Sequence, residues 1–326
     1  MPRRLFRVLI MAAALALACA GPAAAGAADW AACQGSSAPA DIDQLIDRCA
    51  GRAGCEAPAS NLDQLIDQCA GRGGCIAEPA APPPVSMSQL IAGCTVVMQS
   101  PGEPPLRRAL AAYQRGLAYA IDGQTGPAII DFTFALTLQP GFAEAAERLG
   151  EVYAARGDSE RAIAEATQAI RLKPKLARAY ADRARAEFRQ GDAAHAIADL
   201  GQALALRPDD VADLNNRCWM RAASGRELDA ALADCDRAVA IQPDAAALRD
   251  SRGFVHLKRR EYAAALADYR AALAMNDAAV KASALYGGGL ALIGVGDRDE
   301  GQKDIAAALA IAPAIARPYA SAGLGP

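Results

Sequence analysis

AEAAERLGEVYAARGDSERAIAEATQAIRLKP, running from Ala143 to Pro174, carries the pattern that sets the fold of most of the chain. Two apolar-periodic stretches flank a turn signal at Gly157-Asp158, a small residue stands at Gly150, and Pro174 closes the stretch. The same grammar recurs before and after it. Proline, or once aspartate, falls at Pro140, Pro174, Pro208, Pro243, Asp277 and Pro313, at intervals of 34, 34, 35, 34 and 36. A small residue precedes each by 24 or 25 places: Gly116, Gly150, Ala184, Cys218, Gly253 and Gly289. Turn signals lie between, at Gly123, Gly157-Asp158, Gly191-Asp192, Ser224-Gly225 and Gly296-Asp297. A repeat of ~34 residues is the signature of paired helices that stack on their neighbours.

Composition agrees. Alanine supplies 83 of 326 residues and aromatics 5%, a mixture suited to closely packed helices rather than pleated sheets. The net charge of −3 and isoelectric point near 5.6 exclude a general nucleic-acid binder, which needs surplus Lys and Arg against phosphates.

The first 27 residues read as an export signal. Arg3, Arg4 and Arg7 precede an uncharged apolar run from Val8 to Ala20, and Ala25-Gly26-Ala27 fits a cleavage site. That run is too short to span a bilayer, and no later stretch is apolar enough, so no transmembrane helix is expected. The expected location is the bacterial periplasm or cell envelope. Ala16-Leu17-Ala18-Cys19 loosely resembles a lipobox, which makes Cys19 a candidate lipid anchor.

Export places the remaining eight cysteines in an oxidising compartment. In region 28–77, Asp41 to Arg52 recurs twenty residues later as Asn61 to Arg72, with a degraded copy at Ser88 to Cys94. Each copy reads as a short helix ending near a cysteine, with another cysteine ahead of it. A lone short helix buries too little to hold itself, so the expected staples are Cys33–Cys49, Cys55–Cys69 and Cys75–Cys94. Pairing of Cys49 with Cys55 and of Cys69 with Cys75 is the rival, and a four-cysteine zinc site is a further alternative. Residues 78–84, Glu78 to Pro84, form a stiff proline-rich linker.

Beyond it, the repeated residues resemble the tetratricopeptide repeat family. Gly116, Tyr119, Gly123, Ala128, Phe132, Ala135 and Pro140 stand at the family's small, aromatic, turn, small, aromatic, small and proline positions. Gly150, Tyr153, Gly157, Ala162, Ala169 and Pro174 match in the second unit, and Ala184, Gly191, Ala196, Ala203 and Pro208 in the third. Gly253, Ala265, Tyr269 and Ala272 match in the fifth, with Asp277 in place of proline. The sixth gives Gly289, Gly296, Ala308 and Pro313, with Gly301 where alanine is usual. The resemblance implies an all-α, right-handed solenoid over residues 85–326. Its six hairpins of helices A and B fall at about 109–142, 143–176, 177–210, 211–245, 246–281 and 282–315. Capping helices are expected at 86–99 and 315–324, the latter covering apolar surface of the sixth unit. In the fourth unit Cys218 takes the small position and Cys235 the aromatic one, with an extra residue between. Those positions face each other in the family, which implies a Cys218–Cys235 disulfide; two buried thiols are the alternative.

The family presents its A helices to protein or peptide partners. The groove-facing positions fall here on Tyr113, Leu117, Glu144, Glu147, Glu151, Arg178, Arg185, Phe188, Arg189, Asn215, Trp219, Asp250, Phe254, Tyr286 and Leu290. Glu147/Glu151 and Arg185/Arg189 each share one helical face by their i,i+4 spacing. The acidic and basic units pairing with each other, and Trp219, Phe254 and Tyr286 packing between repeats, are the plainer readings. The Lys/Asn pattern of the family's carboxylate-clamp members is absent. Motifs for metalloprotease, nucleotide-binding, serine-hydrolase or C-x-x-C chemistry are missing. His195 and His256 sit on different repeats, and Gly287-Gly288-Gly289 reads as close packing rather than a phosphate loop. The expectation is a non-enzymatic interaction scaffold without a cofactor or metal.

Overall fold

The computed structural model describes residues 86–325, and among these it contains fourteen helices and no strand. They are α1 (Met87–Gln99), α2 (Pro105–Ile121), α3 (Thr125–Leu138), α4 (Ala143–Ala155), α5 (Ser159–Leu172), α6 (Ala177–Arg189) and α7 (Ala193–Leu206). After these come α8 (Val211–Ala223), α9 (Leu228–Ile241), α10 (Ala246–Lys258), α11 (Tyr262–Ala274), α12 (Lys281–Val295), α13 (Arg298–Ile311) and α14 (Ala316–Ser321). The expected leader 1–27, cysteine-rich region 28–77 and linker 78–84 lie outside the described residues. So do Cys19, both partners of Cys33–Cys49 and Cys55–Cys69, and the Cys75 half of Cys75–Cys94. Cys94 itself is fully buried in α1 and disulfide-bonded. The chain divides between Val152 and Tyr153 into two compact units.

In the first unit α1 packs on α2, and α2 on α3. Ser86 starts α1 with a capping box: its hydroxyl accepts from the Gln89 N–H at 3.2 Å, and Gln89 Oε1 accepts from the Ser86 N–H at 2.9 Å. The crossing of α2 and α3 is set by Gly116, where a Cβ would lie 2.8 Å from Cε1 of the fully buried Phe132. The absent side chain is what admits the ring.

The second unit repeats that rule with different residues. A Cβ on Gly253 would lie 3.0 Å from Tyr269 Cζ, and one on Gly289 2.8 Å from Ile305 Cγ1. At the fourth hairpin the small-against-large contact is replaced by a covalent one. Cys218 and Cys235 are fully buried and bonded, with Cα atoms 5.6 Å apart. The extra residue between them is absorbed in the turn, where Gly225 (φ 66°) and Glu227 (φ 49°) both adopt left-handed backbone. Tyr269 also reaches α12, and a Cβ on Gly287 would fall 2.2 Å from its Cζ. The triple glycine is thus a packing surface.

Turns and stops follow from local chemistry. Gly157, Gly191 and Gly296 have positive φ, and the aspartate after each caps the next helix. Residues ahead of the prolines, such as Gln139 and Lys173, leave the helix at φ −137°. Where Asp277 replaces proline, Asn276 at φ 55° ends the helix instead.

An unforeseen ladder of ion pairs ties helix A to helix B in four hairpins. In the first unit, Arg115 grips Asp131 at 2.7 and 2.8 Å. In the second unit, Arg183 grips Asp199 (2.6 and 2.8 Å), Arg217 grips Asp234 (2.6 and 2.8 Å) and Arg252 grips Asp268 (both 2.7 Å). The same arginines reach the preceding B helix: Arg183 donates to Thr167 Oγ1 at 3.2 Å and Arg252 to Asp236 at 2.9 Å. Each arginine directly precedes the small A-helix residue, and each aspartate directly precedes its large or bonded partner. Bidentate geometry fixes the register of the two helices, because the fork fits one alignment only. In the sixth hairpin Gly288 occupies the arginine's place, and burial pushes the Asp304 carboxyl up.

Candidate functional site

In the first unit the expected groove positions are mostly engaged. Tyr113 is 4% exposed, its ring centroid 5.8 Å from that of Phe132 and 4.8 Å from that of Phe142. Leu117 and Glu144 are half-buried and Glu147 is buried. Arg148 lies 2.8 Å from Glu151 and 3.5 Å from Glu147, so this acidic pair meets a guanidinium of its own helix.

In the second unit the A helices α6, α8, α10 and α12 present their faces in order. The face falls into two stretches. Along α6 and α8 it is accessible: Arg185 and Arg189 are exposed, and Arg178, Phe188, Asn215 and Trp219 are half-buried. The rings of Phe188 and Trp219 meet edge to face at 5.2 Å. Arg185 bonds Asp182 one turn back, and Arg189 donates to the Ala154 carbonyl at 3.0 Å. The basic pair thus has partners on its own side while its guanidinium faces stay open to solvent. Asn215 Oδ1 finds no hydrogen-bond donor among the described residues. Glu187, behind this face, is pushed up to about 7 by burial and then by Asp199, against the pull of Arg183.

Along α10 and α12 the face is covered. Phe254 and Tyr286 are 4% and 3% exposed, and Leu290 is buried. What covers them is the chain's own C-terminal segment. Tyr319 of α14 sits 5.3 Å from the Phe254 ring and 4.8 Å from the Tyr286 ring. The segment expected to cap the sixth hairpin therefore also extends across the A helices of the fourth and fifth, touching α8. The reason is chemical: Phe254 and Tyr286 offer aromatic faces, whereas the last B helix offers mainly alanine. One sequence signal could have located this, since Tyr319 is the only aromatic residue after Tyr286. Asp250 lies beside it, accepting from Ser283 Oγ at 2.9 Å through Oδ2 while Oδ1 has no donor. Burial pushes the Asp250 carboxyl up to about 7. Burial, then Asp250, push the Tyr319 phenol up.

His195 pairs with the helix-capping Asp192 at 2.6 Å, and His256 with Glu261 at 2.7 Å. Among the described residues no helix is long and apolar enough to cross a membrane.

Comparison with known proteins bears on this architecture. No curated protein sequence matches the chain. The crystal structure of the APC/C hetero-tetramer Cut9–Hcn1 is similar with TM-score 0.57 and 18% identity over 73% of this chain, which spans only 47% of that one. PilW, a widely conserved type IV pilus biogenesis factor, gives TM-score 0.56 and 19% identity over 63% of this chain and 94% of its own. A tetratricopeptide repeat protein from Parabacteroides merdae gives 0.56 and 14%, over 86% of this chain and 98% of its own. At such identities the likeness is one of fold. Residues 143–176 and 177–210 match the tetratricopeptide repeat family model, and the other described helices share with the solved tetratricopeptide repeat protein the fold of paired, packed helices.

Proposed function

We propose that the chain is an exported, non-enzymatic scaffold that captures a protein or peptide segment on the A-helix face of its second unit. The observation that carries this reading is the stretch formed by α6 and α8. Two aromatic rings, Phe188 and Trp219, lie half-open there, and Arg185 and Arg189 on the same helix as Phe188 are exposed. Aromatic and arginine side chains are the residue types that dominate interface energetics, and this set offers both an apolar anchor and charge for orientation.

The test is affinity capture from an envelope extract with the full chain as bait. Reversing both charges (Arg185→Glu with Arg189→Glu) is expected to remove the specific partner, and Trp219→Ala to weaken its capture. Identical capture profiles from wild type and the charge-reversed chain would defeat the reading.

A second reading rests on Cys19 and the residues before it: an acylated envelope lipoprotein serving as an assembly adaptor for outer-membrane or peptidoglycan machinery. Mass spectrometry of the mature N-terminus separates the two. A chain beginning near Ala28 supports the soluble periplasmic form, and a diacylated Cys19 the anchored one.

A further inference from the structure

After the sixth hairpin the chain turns back over its own A helices. Helix α14 has only six residues, too few to be stable alone, so its position depends on what it touches. Those contacts centre on Tyr319 and Ala322, both buried, with Ile315, Ala316 and Leu324 packed beside them. Tyr319, 4% exposed, is seated between Phe254 and Tyr286 and donates its hydroxyl to the Ser283 carbonyl at 2.9 Å. Lys258, at the end of α10, donates to the Ala322 carbonyl. Around these points the segment is thin: Arg317, Pro318, Ala320, Ser321 and Gly323 are exposed. The seat is also incompletely satisfied, because Asp250 Oδ1 beside Tyr319 keeps no donor and Asn215 Oδ1, on the preceding A helix, has none either.

An aromatic side chain among small residues, laid on tetratricopeptide A helices, is what a bound peptide would look like. We propose that residues 315–325 are an internal occupant of the partner groove, exchanged for a partner segment that carries its own aromatic anchor among small residues. The inference rests on the groove reading above and adds the partner's chemistry and a gate. The arriving segment must displace Tyr319, and it gains by pairing the oxygens of Asp250 and Asn215 that the tail leaves unpaired. Binding is weakened by the fraction of molecules whose groove is already filled.

The probe is a fluorescent synthetic peptide of residues 314–325, titrated against the full chain and the full-length Tyr319→Ala variant. The variant is expected to bind it saturably and about 10-fold or more tighter than wild type, whose tail competes. The same peptide with Ala replacing its tyrosine is expected to bind neither. Equal affinity for both chains, or no saturable binding to the variant, overturns the proposal. Should the variant not fold, hydrogen exchange on the unmodified chain decides. Amides of residues 319–324 are expected to exchange at least about 10-fold faster than those of α12, and equal protection would make the tail a fixed part of the fold. A negative peptide result, with capture still sensitive to Arg185 and Arg189, removes the gate alone. Peptide exchange with capture indifferent to those arginines removes the groove reading alone.

Discussion

A methyl group on Gly301 would lie 2.6 Å from the Gly289 carbonyl oxygen, and one on Gly289 would lie as close to the Gly301 carbonyl. The two glycines let α12 and α13 cross at backbone contact. Alanine is the usual residue at the position of Gly301, yet here it has no room. Gly301→Ala is expected to destabilise the chain by about 1–3 kcal/mol, read from urea unfolding. The opposite holds at the fifth turn, where Arg260 occupies left-handed backbone at φ 61° in a place held by glycine elsewhere. Arg260→Gly is expected to raise stability by about 0.5–1 kcal/mol, measured the same way. The two substitutions move glycine in opposite directions, and geometry rather than residue type sets the sign.

The hairpin is held by two devices, one polar and one covalent. Asp199, nearly buried, receives both arms of Arg183. Asp199→Ala would leave that guanidinium partly buried without its carboxylate, and a loss of about 2–3 kcal/mol is expected. Adding Arg183→Leu should recover part of it, since no guanidinium is then left partly buried without the Asp199 carboxylate. A double-mutant cycle by thermal unfolding measures the difference. The fourth hairpin has in addition the Cys218–Cys235 bond, whose partners are 17 residues apart. Replacing both cysteines by alanine keeps a small residue at the helix crossing and is expected to cost about 2–4 kcal/mol. Dithiothreitol should lower the melting temperature of the native chain by more than that of the variant, which keeps the disulfide at Cys94.

Across the second unit, two carboxyls make stability depend on pH in an unusual direction. Asp250 is raised from 3.8 to about 7 and Glu187 from 4.5 to about 7, in both cases chiefly by burial. Between about pH 4.5 and 7 the folded chain holds protons that the unfolded chain has released, which favours folding. This contribution is complete below the unfolded values and is lost as pH rises through about 7. Unfolding midpoints should therefore be higher at pH 5.5 than at pH 8. Asp250→Asn is expected to flatten the profile and to raise stability at pH 8 by on the order of 2 kcal/mol, since Asn puts no charge in that site. A profile unchanged by the substitution would show that Asp250 is not the group responsible.

The repeat was legible in the order of residues because its causes are local and recur. Gly157-Asp158 turns the chain, Lys173 before Pro174 cannot continue a helix, and a small residue must stand wherever Phe132 or Tyr269 crosses. The Cys218–Cys235 bond was implied by the family resemblance, in which those two positions face each other. The Arg–Asp ladder was present in the same spacing but gave no signal, because a charge on a helix reads as solvent-facing until a neighbouring helix buries it. Which A-helix positions stay open is of another kind. Trp219 and Phe254 hold equivalent places in successive repeats, and one is accessible while the other is covered by Tyr319, 65 residues further along. Periodicity fixes what each hairpin does with itself. The seat chosen by a short tail depends on aromatic faces that only the stacked helices bring together.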